Sequence, residues 1–298
     1  MVTILYLGET YHGGEVSFIQ NLSHQWKRDG VRFQLVFLSE NVVTTRPHRF
    51  NDELFFENIS TAEFESLGPT LVVGLKEKHA PILPKLRSAT VLCTDQFCLD
   101  VSGHKSFVTD KVRTVNFPNS IFIDRPYIFD VHELYRFDDV LTKLMRVGEN
   151  LVDPITLKAP FYCYVGMMHE EAFRDLRILL EANTSIPEEK AVRFFGSITP
   201  KFNELAGEID QYWSRYWYGK FPRKLGIASA ILSKARRCFC RGTALRYGEL
   251  EAFDVGLKPF ILRHNDCLDS IMYPNDKQLV VSKSQYNTGK QIYSLVVA

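Results

Sequence analysis

The first forty residues constrain the fold most. Residues 2–7 (VTILYL) form an apolar, β-branched run without helical period and read as a strand. Gly13 and Gly14 follow, then a helical pattern over 16–27, an Asp29-Gly30 turn and a second apolar run at 33–38. Strand, glycine turn, helix and strand in that order make a βαβ unit, which requires a parallel sheet. A glycine pair between a strand and its helix lets backbone amides approach an anion at the positive helix end. Gly13 and Gly14 are therefore candidate donor contacts. The spacing is not Gly-x-Gly-x-x-Gly, and no acidic residue after the second strand is placed to hold an adenosine ribose, which disfavours a dinucleotide-binding domain.

A second informative stretch is RYGELEAFDVGLKPFI, residues 246–261. Gly248 permits close backbone approach, Glu249 and Glu251 lie just inside a helix, Gly256 is a natural helix C-cap, and 259–262 is a short apolar strand. A carboxylate so placed can grip a ribose diol, and Tyr247 stands four residues before Glu251.

Glu251-Ala252, Gly256 and Pro259 resemble the donor segment of retaining glycosyltransferases of the GT-B fold. The Gly13-Gly14 turn after the first strand is also similar to theirs. Within that family the chain most resembles the DNA hydroxymethylcytosine glycosyltransferases of T-even bacteriophages, of the α-glucosyltransferase type, which share the Tyr-to-Glu spacing seen at Tyr247 and Glu251. The likeness takes in 225–234 and 241–256 and covers roughly half of the chain at low identity. It implies an α/β chain of GT-B architecture, two Rossmann-like domains facing across a cleft, that binds a UDP-sugar donor and holds no permanent cofactor. By the same resemblance Glu251 binds the donor ribose. The family's first Glu, separated from the second by seven residues and bound to the donor sugar, is Thr243 here. That departure points away from glucose toward a pentose such as arabinose.

Strands are expected at 70–73, 89–93, 107–108, 112–116 and 120–123, and a helix at 139–146. The connector-like composition of 148–160 then separates an acceptor-side domain, 1–150, from a nucleotide-sugar domain, 151–298. The second domain opens with a strand at 161–165 ending at Gly166, a helix over 170–181, and a strand at 192–195 followed by Gly196. Relatives place a Gly-Arg and a later Lys after the first of these strands to neutralise the donor diphosphate. Here Met167 takes the Arg position and Ala172 or Phe173 the Lys position. Arg174 or Arg177 from the same helix, and His169 at its start, are the replacements on offer. In the first domain, the strand 91–93 leads to Thr94-Asp95, where the phage enzymes have His-Asp. By resemblance Asp95 faces the acceptor hydroxymethyl group and takes its proton. No internal repeat stands out, and residues 279–298 look more strand-like than helical.

Charge adds a second theme. Residues 211–248 carry nine Lys or Arg and no Asp or Glu, which leaves 27 basic against 35 acidic residues elsewhere in a chain of net charge +1. Tyr212, Trp213, Tyr216, Trp217, Tyr218 and Phe221 are interleaved with them. Basic residues contact phosphates and aromatic faces stack on bases, so Arg215, Lys220, Arg223, Lys224, Arg236 and Arg237 are candidate nucleic-acid contacts. The partner expected is double-stranded DNA containing hydroxymethylcytosine. Two other readings fit the same block: a membrane-surface patch, as in a bacterial cell-surface polysaccharide or lipid-linked glycosyltransferase, and a set of donor contacts whose aromatics are core. A non-catalytic DNA-binding protein on a GT-B scaffold fits the missing Arg, Lys and first Glu.

Six cysteines fall on or beside apolar segments, with no Cys-x-x-Cys and no His at zinc spacing, and read as reduced core thiols; no metal site is expected. No Asp-x-Asp occurs to hold a divalent cation on a diphosphate. No window approaches a membrane span and no leader pattern is present, so the expected location is the cytoplasm, that of an infected host cell on the phage reading.

Overall fold

The computed structural model describes residues 1–8, 14–38, 49–50, 54–86, 88–94, 101–109, 117–127, 161–219, 232–241, 247–257, 260–262 and 288–298. The chain divides into two units, Met1–Ile128 with Val280–Ala298, and Phe129–Leu279. Residues 280–298, expected in the second domain, therefore count with the first. The expected strand at 112–116, the helix at 139–146 and the connector at 148–160 lie outside the described residues.

The first unit is built on a sheet of β1 (Val2–Tyr6), β2 (Phe33–Leu38), β3 (Arg49–Phe50), β4 (Leu54–Ile59), β5 (Thr70–Val73), β6 (Ala89–Cys93), β7 (Lys105–Val108) and β8 (Ile121–Phe122). Their order is β3-β4-β2-β1-β5-β6-β7-β8, parallel throughout except for β3 against β4. All of β1, β5 and β6 is buried, because a central parallel strand is covered on both faces, and this is why these strands read as unbroken apolar runs. β4 was not expected: its Glu57 and Asn58 are exposed and interrupt the pattern.

Helix α1 (Gly14–Arg28) returns the chain between β1 and β2 and buries Phe18, Ile19, Leu22 and Trp26, which share one helical face. Its Glu15 at the start and Lys27 and Arg28 at the end complement the helix dipole.

The chain ends in a helix, Thr288–Val297, where a strand-like tail was expected. Tertiary contacts decide this against the β-branched residues of the segment. Ile292 and Val296, one helical turn apart, are buried. The Gly289 N–H donates to Gln25 Oε1 at 2.7 Å and the Gly289 carbonyl accepts from Trp26 Nε1 at 2.7 Å. A Cβ on Gly289 would stand 2.8 Å from that Gln25 oxygen and 3.0 Å from Gln25 Cβ, so the helix start is packed closely on α1.

The second unit carries β9 (Phe161–Val165), β10 (Val192–Phe195), β11 (Ala235–Cys240) and β12 (Phe260–Ile261) in the order β10-β9-β11-β12, all parallel. Residues 217–219 run parallel along the free edge of β10: Trp217 bridges Phe194 and the Tyr218 N–H donates to the Phe194 carbonyl at 2.9 Å. Helix α2 (Glu170–Ser185) follows β9, α3 (Pro200–Ile209) follows β10, and α4 (Tyr247–Asp254) lies between β11 and β12. With these four elements numbered, the C-terminal helix is α5. Ala172, Leu176, Leu179 and Leu180 pack α2 onto one core with Phe194, Phe202, Trp213 and Tyr216. Phe161, Cys163, Phe195, Leu232, Cys238 and Ala252 form another. Asn183 joins the end of α2 to the start of β10, donating to the Val192 carbonyl at 3.0 Å and accepting from the Val192 N–H at 2.8 Å. Thr199 caps α3 by accepting from the Phe202 N–H at 3.3 Å, with Pro200 in the first turn. Cys93, Cys163, Cys238 and Cys240 are buried free thiols, with Cys238 directly across from Cys163.

Candidate functional site at the strand ends of the second unit

In a parallel α/β sheet ligands collect outside the C-terminal ends of the strands. In the second unit these ends are fixed backbone to backbone. The Gly166 N–H donates to the Phe195 carbonyl at 2.9 Å, the Met168 N–H to Ser197 at 2.8 Å, and the Gly196 N–H to Gly219 at 2.7 Å. Gly196 has φ +136°, and a Cβ there would fall inside the carbonyl oxygen of Gly166. Only glycine lets the two strand exits meet this closely. Trp217 adds an Nε1 hydrogen bond to the Gly196 carbonyl at 2.9 Å.

Onto this edge the chain sets α4. A Cβ on Gly248 would meet the Val165 carbonyl oxygen at 3.2 Å, so the first turn of the helix lies on the last residue of β9. Tyr247, Glu249, Leu250 and Ala252 are buried and Glu251 is partly buried. The first turn of α4, which carries Tyr247 and Glu249 and leads on to Glu251, is thus seated beside the last residue of β9. Burial, reinforced by the charges of Glu249 and Asp254, pushes the Glu251 carboxyl up to about 8, so it holds its proton at neutral pH.

A further residue, not singled out from the sequence, completes this edge. Arg241 directly follows β11, and its Nε donates to Asp175 Oδ2 on α2 at 2.8 Å, both side chains no more than 7% exposed. Its Nη1 lies 3.4 Å from His169 Nε2, and its Nη2 reaches the Glu171 carbonyl at 3.4 Å. A guanidinium only donates, so the contact with His169 uses the Nε2 lone pair and puts the imidazole proton on Nδ1. His169 is the residue before α2, in extended backbone. The sequence signal for Arg241 was a basic residue closing an apolar strand just before the Glu-bearing helix.

The other expected contacts are placed elsewhere. Arg174 stands on the outside of α2, its side chain 74% exposed and 3.9 Å from Asp175 Oδ1. Arg177 is exposed and paired to Glu181 at 2.6 Å. Arg236 and Arg237 are exposed at the start of β11, beside Tyr162 of β9, at the sheet end opposite Gly166 and about 13 Å away along the strand. Arg215 lies over the Tyr216 ring at 4.6 Å and within 3.7 Å of Asp210. Lys220, Arg223 and Lys224 lie outside the described residues.

Trp213 and Tyr216, expected as possible base-stacking groups, are core: Trp213 meets Phe194 and Phe202 edge-on and donates Nε1 to Asn203 at 3.2 Å. Apolar area of that size is buried wherever a core is available. Tyr212 remains exposed.

In the first unit, Asp95 and Gly13 lie outside the described residues, and Gly14 opens α1 with free space where a Cβ would go. The strand ends there repeat the plan of the second unit. β1 ends Tyr6-Leu7-Gly8 and β9 ends Tyr164-Val165-Gly166, and in each the tyrosine ring folds over the glycine, leaving no room for a Cβ. The neighbouring strands β5 and β10 each end in a positive-φ glycine, Gly74 and Gly196, packed on the first. Beside Gly74 stands Glu15, whose carboxyl burial raises above the usual range while Lys76 pulls it down. Among the described residues no cluster of three or more His, Cys, Asp or Glu could hold a metal ion, and no helix is long and apolar enough to cross a membrane.

Two α/β units built on parallel sheets are the halves of a GT-B fold, and the comparisons with solved structures give that fold. No protein-family model and no curated protein matches the chain. An α-glucosyltransferase in complex with UDP and a 13-mer DNA containing an HMU base superposes with a TM-score of 0.60 and 12% identity over 99% of this chain and 90% of that one. The same enzyme type in complex with UDP-glucose and DNA containing an abasic site gives 0.57, 11%, 100% and 92%. HepE from Anabaena, in complex with UDP and glucose, gives 0.57 at 9% identity over 99% and 98%. At such identities the likeness is one of fold.

Proposed function

We propose that the protein is a glycosyltransferase that moves a sugar from a UDP-sugar to 5-hydroxymethylcytosine in double-stranded DNA. One observation supports the donor side: the first turn of α4, the helix that carries Tyr247, Glu249 and Glu251, is seated on the last residue of β9. Fold neighbours bound to UDP and to DNA support the class of donor and acceptor.

In this reading Glu251 takes the ribose diol, its neutral carboxyl both accepting and donating a hydrogen bond. The diphosphate lies against the Gly166 turn and the start of α2, where His169 donates from Nδ1. The sugar C1–oxygen bond to UDP breaks with the electron pair leaving on the phosphate. A bond forms from C1 to the hydroxymethyl oxygen, whose proton passes to Asp95. The configuration at C1 is retained. Reaching a hydroxymethyl group on a paired base requires flipping the nucleotide, and Arg215, Lys220, Arg223 and Lys224 hold the distorted backbone. Arg236 and Arg237 stand at the far end of the sheet and take no part on the donor side. With Thr243 in place of the sugar-reading Glu, the donor carries a pentose such as arabinose, with glucose the alternative. Such a reaction takes place in the cytoplasm of an infected host cell.

A lipid-linked or cell-surface glycan is the second acceptor class. The burial of Trp213 and Tyr216 favours it, because it withdraws two stacking groups from the basic block.

The test incubates the protein with hydroxymethylcytosine DNA and a panel of UDP-sugars and weighs the digested nucleosides by mass spectrometry. A mass gain on hydroxymethylcytosine, pentose or hexose, is the expected result. Donor turnover with lipid-linked glycans and none with DNA would select the second class, and UDP-glucose turning over faster than every UDP-pentose would refute the sugar assignment.

A further inference from the structure

Arg193, the second residue of β10, is the least satisfied charge among the described residues of the second unit. The residue is 6% exposed, and its Nε and Nη1 are sealed from solvent with no hydrogen-bond partner. Its guanidinium lies 5.5 Å from the centre of the Tyr218 ring. That contact sets the charge near the ring and pairs neither Nε–H nor Nη1–H with an acceptor. The Tyr218 ring in turn packs on Phe195 at 5.5 Å.

Among the described residues no ion pair is formed with Arg193. Phe195, one pleat along β10 on the same side of the strand, belongs to an apolar cluster with Cys163, Cys238 and Ala252. Asp and Glu are absent from 211–248, the stretch that contains Tyr218. An Arg side chain stays protonated, so it cannot escape burial by losing its charge. Buried polar groups in native proteins are satisfied with few exceptions, and a sealed guanidinium with two idle donors marks the place of a missing anion. The guanidinium reaches toward the strand exits through its neighbour: Tyr218 precedes Gly219, whose carbonyl accepts from the Gly196 N–H.

We propose that Arg193 is a phosphate-binding residue, its idle Nε–H and Nη1–H taking phosphoryl oxygens beside the Tyr218 ring. The donor diphosphate and the DNA backbone present the same chemistry, and assigning either as the source rests on the function proposed above. Phosphate binding itself does not.

The experiment compares the full chain with Arg193→Met and Arg193→Lys. Inorganic phosphate, against chloride at equal ionic strength, raises the melting temperature of the unsubstituted protein and leaves R193M flat, with R193K between them. An equal response in all three overturns the proposal. Calorimetry with UDP and uridine, and DNA binding across a salt series, then name the source. A tenfold or greater loss of UDP affinity in R193M with uridine unchanged assigns the diphosphate. A salt slope reduced by about 0.9 with UDP unchanged assigns the DNA backbone. If UDP, DNA and phosphate all bind the variants as they bind the unsubstituted protein, Arg193 is structural and the inference falls. If the unsubstituted protein binds neither UDP nor DNA, yet R193M alone loses the phosphate response, the functional reading falls and the phosphate site stands.

Discussion

Replacing Glu251 with Gln tests the donor helix by its effect on stability against pH. The carboxyl is held at about 8 in the folded chain against 4.5 for the ordinary group. A raised folded-state value means that the fold prefers the neutral acid. The contribution is fully present below 4.5 and is lost progressively as pH rises through 8. Between pH 5 and 8 a single proton gives a slope of about 1.4 kcal/mol per unit, a ceiling of about 4 kcal/mol. Glu251 is only partly buried, so water relaxes its charged form and about 2 kcal/mol is the working expectation. Glu251→Gln is neutral at every pH and removes the term. Urea melts of both proteins at intervals from pH 5 to 9 should show stability curves that separate as pH rises, with the Gln variant increasingly the more stable, and run parallel above 8. Curves that stay parallel across the whole range would show that Glu251 ionises freely in the fold and that α4 does not bury it at the strand end.

Gly196→Ala should destabilise the second unit by at least about 3 kcal/mol, since a Cβ there is strained at φ +136° and overlaps the Gly166 carbonyl, and a loss below 1 kcal/mol in urea melts would contradict the backbone lock. Asp175→Ala leaves the Arg241 guanidinium buried without its carboxylate and should cost about 3 to 5 kcal/mol by thermal or urea unfolding, whereas a loss under 1 kcal/mol would show that water replaces the carboxylate. Arg236→Ser with Arg237→Ser should leave UDP affinity by calorimetry within twofold of the unsubstituted value, because both lie at the opposite sheet end; a tenfold loss would place the donor elsewhere.

Much of the fold is legible in the sequence because central parallel strands have no alternation to conceal: VTILY, TLVV, ATVLC and FYCYV show as apolar runs, and VRFF is interrupted by Arg193 alone. The Glu-bearing helix is legible for the same local reasons, a glycine before it and a glycine after it. Contacts between distant positions are not. Arg241 and Asp175 are 66 residues apart, so the pair appears in the sequence as one more base in a basic block and one more acid on a helix. The aromatic residues of 212–218 carry no local sign of which face the core, and the C-terminal helix depends on Gln25 and Trp26 at the other end of the chain.

The repeated strand ends are hidden in the sequence for a related reason. Tyr-x-Gly on the first strand and a closing glycine on its neighbour recur in both units as a few positions scattered among unrelated residues. Their work is done by the absence of a Cβ and by the ring of one tyrosine. Once the exits are locked main chain to main chain, the directions in which α1 and α2 leave the sheet no longer depend on which side chains follow. Side chains just past the exits, Met167 among them, can then vary without moving the strands. Main chain sets the frame and side chains set the ligand contacts, so a likeness in fold is a likeness of the frame alone.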